Sequence, residues 1–145
     1  MIPSSQSVLL DTNVLVHLAR NDPTGRWIEE HFSLSSREER PFVSTITEGE
    51  ILGFARFRDW GESRREILRQ LLAGLVRVDA GLPDIVNAYA DLSVLDLRGG
   101  RNTSDNDLWI AATAIATNAT LLTRDHDFDW MHPALISVHL IDLVS

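Results

Sequence analysis

Short apolar runs alternate with longer segments of helical spacing along this chain, and that alternation restricts it to a small set of folds. Val8-Leu9-Leu10 stops at Asp11-Thr12-Asn13, after which Val14, Leu15 and Leu18 return at the interval of a helix face. Trp27 to Phe32 reads as a short helix, Ser35 to Pro41 as a charged loop and Phe42-Val43-Ser44 as a second buried strand. From Thr47 onward Ile51, Leu52, Phe54, Ala55 and Phe57 describe another helix, and Ser63 to Leu75 is amphipathic through Ile67, Leu68, Leu71, Leu72 and Leu75. Val76-Arg77-Val78 is a third short strand and Leu82 to Leu95 a helix, followed by a flexible loop from Arg98 to Ser104. Asn106 to Asn118 is apolar enough on its inner side to be the central buried helix. Thr120 to Thr123 and Val138 to Asp142 supply the last two strands. Strands that alternate with helices pair in parallel and take helices on both faces, so the expected class is α/β around a parallel sheet.

The residues that are missing narrow the chemistry. A chain of 145 residues is a common size for one domain, long enough to bury roughly two thirds of its unfolded surface, and a single domain over 1–145 is expected. Cysteine is absent, which excludes disulfides, zinc thiolate sites and thiol nucleophiles. All thirteen basic residues are arginine, so neither a P-loop nor a Schiff-base lysine is available. No apolar run approaches the roughly 18 residues of a membrane span and no signal-peptide pattern opens the chain, so the expected location is the cytoplasm. The net charge of −8 argues against binding nucleic acid by bulk attraction. Arg56, Arg58, Arg64, Arg65 and Arg69 nevertheless fall within fourteen positions, a density suited to tracking a phosphate backbone or, more plainly, to a solvated helix face.

Four acids stand where the edge of such a sheet would gather them. Asp11 closes the first strand, Glu50 lies early in a helix, Asp107 opens another, and Asp125 follows the Thr120–Thr123 strand. Ligand sites of open α/β sheets lie at these carboxyl ends, and hard divalent cations take oxygen ligands. Each acid also has a purely structural reading. Thr47-x-x-Glu50 fits a capping box, Glu48 stands in the same relation to Thr45, and Asp107 lies three residues after Ser104, where an acid gains about 0.3–1 kcal/mol from the helix dipole. Asp11 and Asp125 fit as turn aspartates. Capping, however, does not require a second acid close in space. A phosphatase of the D-x-D-x-T kind is excluded because position 13 is Asn. His17, His31, His126, His132 and His139 show no metal-pair spacing and read as surface or packing residues, with only His126 near the acids. Trp27, Trp60, Trp109 and Trp130 read as core or interface, Trp109 most firmly as core.

The words Leu10-Asp11-Thr12-Asn13-Val14-Leu15, Ser44-Thr45-Ile46-Thr47 with Glu50-Ile51-Leu52, Asn106-Asp107-Leu108-Trp109-Ile110-Ala111-Ala112, and Leu122-Thr123-Arg124-Asp125 with Asp127-Phe128 resemble the PIN domain. The resemblance runs from about Val8 to Leu143 and is strongest to the VapC toxins of bacterial toxin-antitoxin pairs. It implies a three-layer α/β/α sandwich around a central parallel sheet. Asp11, Glu50, Asp107 and Asp125 then take the family's catalytic, metal-binding places for Mg²⁺ or Mn²⁺, with Asn13 and Thr123 in supporting positions. Glu48, Asp105 and Asp127 are near neighbours that blur this match. Glu50 is preferred because two aliphatic residues follow it, Asp107 because it directly precedes Leu-Trp-Ile-Ala-Ala. The implied activity is endoribonucleolytic hydrolysis by a metal-activated water, leaving 5′-phosphate and 3′-hydroxyl ends. Implied partners are an RNA substrate, a second copy in a two-fold dimer, and a small cognate antitoxin whose Arg or Lys reaches towards Asp11 and Asp107 while a helix lies in a groove. The rival reading is a catalytically inactive PIN-like scaffold or protein-binding module whose carboxylates only cap helices.

Overall fold

The computed structural model describes residues 2–142; Met1 and residues 143–145, which include the end of the resemblance at Leu143 and both ends of the expected domain, lie outside the described residues. Five strands, β1 (Val8–Leu10), β2 (Phe42–Ser44), β3 (Val76–Val78), β4 (Thr120–Thr123) and β5 (Val138–Leu140), form one sheet in the order β3-β2-β1-β4-β5. Every pairing is parallel, and Leu9 at the centre is registered with Phe42 on one side and Leu121 on the other. From β1 the chain steps outward through β2 to β3, then returns to place β4 on the other side of β1. The winding therefore reverses between β1 and β4, the position where open sheets leave a crevice.

Six α-helices enclose this sheet: α1 (Thr12–Arg20), α2 (Pro23–Phe32), α3 (Thr45–Phe57), α4 (Glu62–Ala73), α5 (Pro83–Arg98) and α6 (Asp105–Thr117). Successive strand side chains point to opposite faces, so each short strand feeds two cores. Val8, Leu10, Val43 and Leu122 pack with Val14, Leu15, Ile28, Ile51 and Leu68 from α1 to α4. Leu9, Val78 and Leu121 pack with Ile85, Leu92, Ile110 and Ala111 from α5 and α6, and with Phe128 of the short 3-10 helix His126–Met131. All three residues of β1 are buried, as expected for a strand with no solvent face. The three layers and the parallel sheet are those expected from the resemblance.

Local chemistry sets the element ends. Asp22 caps α2 by accepting from Gly25 N–H, and Pro23 starts the helix where its missing N–H costs nothing. At Gly25 a Cβ would stand 2.1 Å from the His17 carbonyl oxygen, so α2 crosses α1 where only glycine fits. Two expectations need correction here. Helix α3 starts at Thr45 rather than Thr47, because Ser44 is the cap and its Oγ accepts from Ile46 N–H at 3.1 Å. The Thr47–Glu50 capping box therefore does not form. Nor does Glu48 serve Thr45: it pairs with Arg77 at 2.9 Å, while Thr45 Oγ1 accepts from Ala80 N–H. The second correction is Trp109, which is half-buried and stacked on Tyr89 of α5 at 4.0 Å instead of lying in the core; Trp60 is the buried tryptophan. In the loop after α2, Arg37 is buried because its guanidinium donates to the carbonyls of Pro3 and Gln6. Among the described residues no helix is long and apolar enough to cross a membrane.

Candidate active site

The reversal between β1 and β4 brings two strand ends together, and the loops leaving them are tied to each other. Asp11, 4% exposed, caps α1 through Oδ1, which accepts from Thr12 N–H at 2.8 Å. Its Oδ2 accepts from Thr123 Oγ1 at 2.7 Å and from Asn13 Nδ2 at 3.3 Å. Thr123 Oγ1 in turn accepts from Asp125 N–H at 3.0 Å, and Asn13 Oδ1 accepts from Arg124 N–H at 3.0 Å. Asn13 and Thr123 thus stitch the end of β1 to the end of β4 and fix where Asp11 and Asp125 point.

Two helices complete the wall. Glu50 on α3 is held at both oxygens: Thr12 Oγ1 donates to Oε1 at 2.7 Å and Asn106 Nδ2 donates to Oε2 at 3.0 Å. Asp107 sits in the first turn of α6, whose cap Ser104 accepts from Asp107 N–H at 3.2 Å. Asp11, Glu50, Asp107 and Asp125, which the sequence scatters, line one pocket of 380 Å³ together with Thr12, Asn13, Val16, His17 and Phe54. A tighter set overlaps its edge, since carboxylate oxygens of Asp107, Asp125 and Asp127, the last outside the pocket lining, all come within 4.8 Å of one another. Of the three near neighbours, only Asp127 therefore joins the acids. Glu48 is engaged by Arg77, and Asp105 accepts from the Tyr89 hydroxyl at 3.0 Å.

Crowding shows in the protonation equilibria. Burial is the main cause that pushes the Asp107 carboxyl up to about 6; the charges of Asp11 and Asp125 add to it, and the bond to Ser104 opposes it. Burial also raises Asp11, against the bonds from Thr123 and Thr12 and with the charges of Glu50 and Asp125. Such a pocket favours positive charge. Its acidic donors are oxygens, the set preferred by Mg²⁺ and Mn²⁺, and the described wall offers no thiolate.

Of the pocket residues that escaped the sequence reading, which include Thr12 and Val16, two carry rings. His17, expected at the surface or in packing, lines it; Arg124 Nη1 lies 2.9 Å from its Nε2 and Asp22 Oδ2 2.7 Å from its Nδ1. Arginine only donates, so Nε2 accepts and Nδ1–H donates to Asp22. His126, the histidine expected nearest the acids, is exposed and bonded to Asp129. Phe54 carries the second missed ring. Each follows a site residue by four positions, His17 after Asn13 and Phe54 after Glu50, and that spacing keeps both on the same helix face as the earlier residue. The arginine group divides. Arg65 and Arg69 are paired with Glu62 and Glu66 on the exposed side of α4, whereas Arg58 and Arg64 lie over the Phe54 and Trp60 rings.

A parallel sheet whose switch point is walled by carboxylates from four separate segments has the form of an α/β protein with an acidic site able to take a divalent cation. The PIN domain family matches residues 8–131, and the chain belongs to that family. It is 32% identical over 118 residues to a protein named ribonuclease VapC1 from Haemophilus influenzae strain R2866, covering 81% of this chain and 85% of that one. Among solved structures it is similar to VapBC-1 from nontypeable Haemophilus influenzae, with TM-score 0.76 and 26% identity over 92% of this chain and 97% of that one. VapBC2 from Rickettsia felis, solved bound to a DNA fragment from its promoter, gives TM-score 0.81 over 94% of this chain and 99% of that one; at 24% identity the likeness is one of fold.

Proposed function

We propose that this chain is an Mg²⁺- or Mn²⁺-dependent endoribonuclease of the cytoplasm, the toxin of a VapBC-type pair restrained by a small cognate antitoxin. The observation that carries the reading is the convergence of Asp11, Glu50, Asp107 and Asp125 on one pocket at the switch point of the sheet. Asp107, Asp125 and Asp127 would supply the nearest oxygens to an ion, with Asp11 and Glu50 completing the wall directly or through water. The ion's contribution when bound is to neutralise charge on the phosphoryl oxygens and to favour ionisation of an attacking water. The chain's own contribution is positioning. Thr123 and Asn13 hold Asp11, and Thr12 and Asn106 hold Glu50, so that the acids meet a substrate without rearranging.

The partners follow from sign and shape. An acidic pocket is blocked by an inserted Arg or Lys, and an apolar groove of 460 Å³ between α1, α2 and α4, lined by Leu18, Leu34, Leu71 and Leu75, accepts the hydrophobic face of a helix. That the similar solved structure is a VapBC-1 assembly supports a partner protein for this chain. A two-fold homodimer is part of this proposal.

One observation favours the inactive-scaffold reading: Asp11 caps α1 and Asp125 caps the 3-10 helix after β4. Caps alone leave unexplained why Glu50 is clamped at both oxygens across three helices, and why Asp107 is buried beside other acids so that its carboxyl is pushed up to about 6. The test is digestion of a cellular RNA pool by the purified chain. Cleavage at few sites with Mg²⁺ or Mn²⁺, stopped by EDTA, is expected, along with growth arrest on solo expression and its relief by the antitoxin. Cleavage undiminished in chelator overturns the metal dependence. Soluble protein that cuts no RNA with either ion overturns the enzyme.

A further inference from the structure

A cationic and aromatic surface adjoins the acidic pocket. Phe54 belongs to the pocket wall, and beyond it the guanidinium carbons of Arg20, at the end of α1, and Arg58, just after α3, lie 5.5 and 5.3 Å from its ring centre. The next ring, Trp60, meets Phe54 edge-on at 5.9 Å and carries Arg64 of α4 at 5.4 Å. Among the described residues Arg20, Arg58 and Arg64 make no ion pair, in contrast to Arg65, Arg69 and Arg77, which are all matched to glutamates. In a chain of net charge −8, three guanidiniums gathered on two touching rings with no carboxylate in salt-bridge contact form a local exception. Ring faces hold the guanidiniums in place while leaving their N–H groups unspent.

We propose that Arg20, Phe54, Arg58 and Arg64 form a docking track for single-stranded RNA that leads out of the carboxylate pocket and holds the nucleotides flanking the scissile phosphate. The proposal rests on the nuclease reading and gives it a direction. The phosphate to be cut enters among the acids at the Phe54 edge, and the neighbouring phosphates lie against Arg20, Arg58 and then Arg64. Single-strand sites are built in this way, from guanidiniums that follow the backbone and aromatic or guanidinium planes on which bases stack. The track also revises the group of five expected from sequence. Arg65 and Arg69 spend their charge on Glu62 and Glu66, whereas Arg20, distant in sequence, joins. An acidic protein segment is the competing occupant. The half-buried Phe54 ring, at the direct junction with the pocket, favours RNA, while buried Trp60 only seats Arg64.

The test measures binding of a fluorescein-labelled single-stranded RNA oligonucleotide to the full chain in EDTA, where nothing is cut, and then steady-state cleavage with Mn²⁺. The variant Arg20→Gln/Arg58→Gln/Arg64→Gln is expected to bind at least ten-fold more weakly and to lower the slope of log affinity against log salt by about 2, for three lost phosphate contacts. In cleavage it should raise KM with little change in kcat. Arg98→Gln, which removes a charge at the end of α5, is expected to leave affinity unchanged. Phe54→Leu is a second probe that keeps the charges, with a loss of five-fold or more expected. Should the triple variant be misfolded by thermal melt, Arg64→Gln alone, an exposed substitution, must still reduce both affinity and slope. Wild type that binds and cuts RNA while the folded variants bind it equally well overturns the track and leaves the nuclease standing. Variants that keep RNA affinity but no longer copurify with the antitoxin overturn it in favour of a protein partner. A wild type that neither binds nor cuts RNA overturns both.

Discussion

Asp11 does two jobs that pull its charge in opposite directions. As the cap of α1 it gains from being an acceptor, and as part of a crowded, buried acidic wall it loses from being an anion, which is why its carboxyl is raised despite two hydrogen bonds that lower it. The two jobs separate by mutation. Asp11→Asn keeps an oxygen for Thr12 N–H and discards the charge, so cleavage should fall to background while the metal-free protein melts no lower than wild type. Much of the melting gain that Mg²⁺ or Mn²⁺ gives by binding the folded state should vanish with it. Asp11→Ala removes the cap as well and should cost about 0.5–2 kcal/mol more. Thermal melts of the three proteins with and without ion, beside one RNA digest, check this; an active, destabilised Asn variant refutes the assigned role. At this scale the sequence was readable where a pocket residue sits in a local word. Asp11 ends a run of apolar residues and Asp125 comes three positions after one, and a strand end announces itself in composition. His17 and Phe54 were not readable, because helical spacing places them beside Asn13 and Glu50 but does not say which way those faces turn.

Among the elements, the crossing of α1 and α2 has the least slack. Gly25 is in contact with the His17 backbone, its N–H is held by Asp22, and the other Asp22 oxygen receives the His17 ring, so a shift of α2 moves a residue of the pocket wall. Gly25→Ala should therefore destabilise the fold by about 1–3 kcal/mol, as overpacking does, and lower kcat in whatever fraction remains folded. Denaturant unfolding together with activity per folded molecule measures both effects, and an Ala variant as stable as wild type would mean that the crossing is loose. The expected alternation of strands and helices agrees with the sheet found, since period and length are local properties. Where α3 begins was not legible. Ser44, Thr45 and Thr47 are all hydroxyl caps on paper, and only the end of β2, fixed by pairing with β1 and β3, selects Ser44. Trp109 misled for a related reason, because a helix apolar on most sides does not disclose that this residue faces Tyr89 of α5.

Across the whole molecule, stability should depend on pH in a sense opposite to ordinary acid denaturation. Asp107 titrates near 6 in the folded chain against 3.8 for an ordinary aspartate, so the folded state binds the proton more tightly. Its contribution is complete below 3.8 and is lost as pH rises through about 6. In EDTA the melting temperature should rise as pH falls from 7 to 5, and Asp107→Asn should flatten that rise; wild type that loses stability over this interval would contradict the crowding. Asp22 sets the lower limit: burial raises its carboxyl, but Gly25 N–H and His17 outweigh that and leave it low, so its support disappears only under more acid conditions. The strand order has a further consequence, for synthesis. A ribosome delivers β1, β2 and β3 first, yet β1 keeps one edge bare until β4, some hundred residues later, arrives to lie beside it. Asp125 comes later still. On the nuclease reading a nascent chain therefore carries unassembled pieces of a cutting site, and the message being translated is beyond its reach until almost all of the fold has been made.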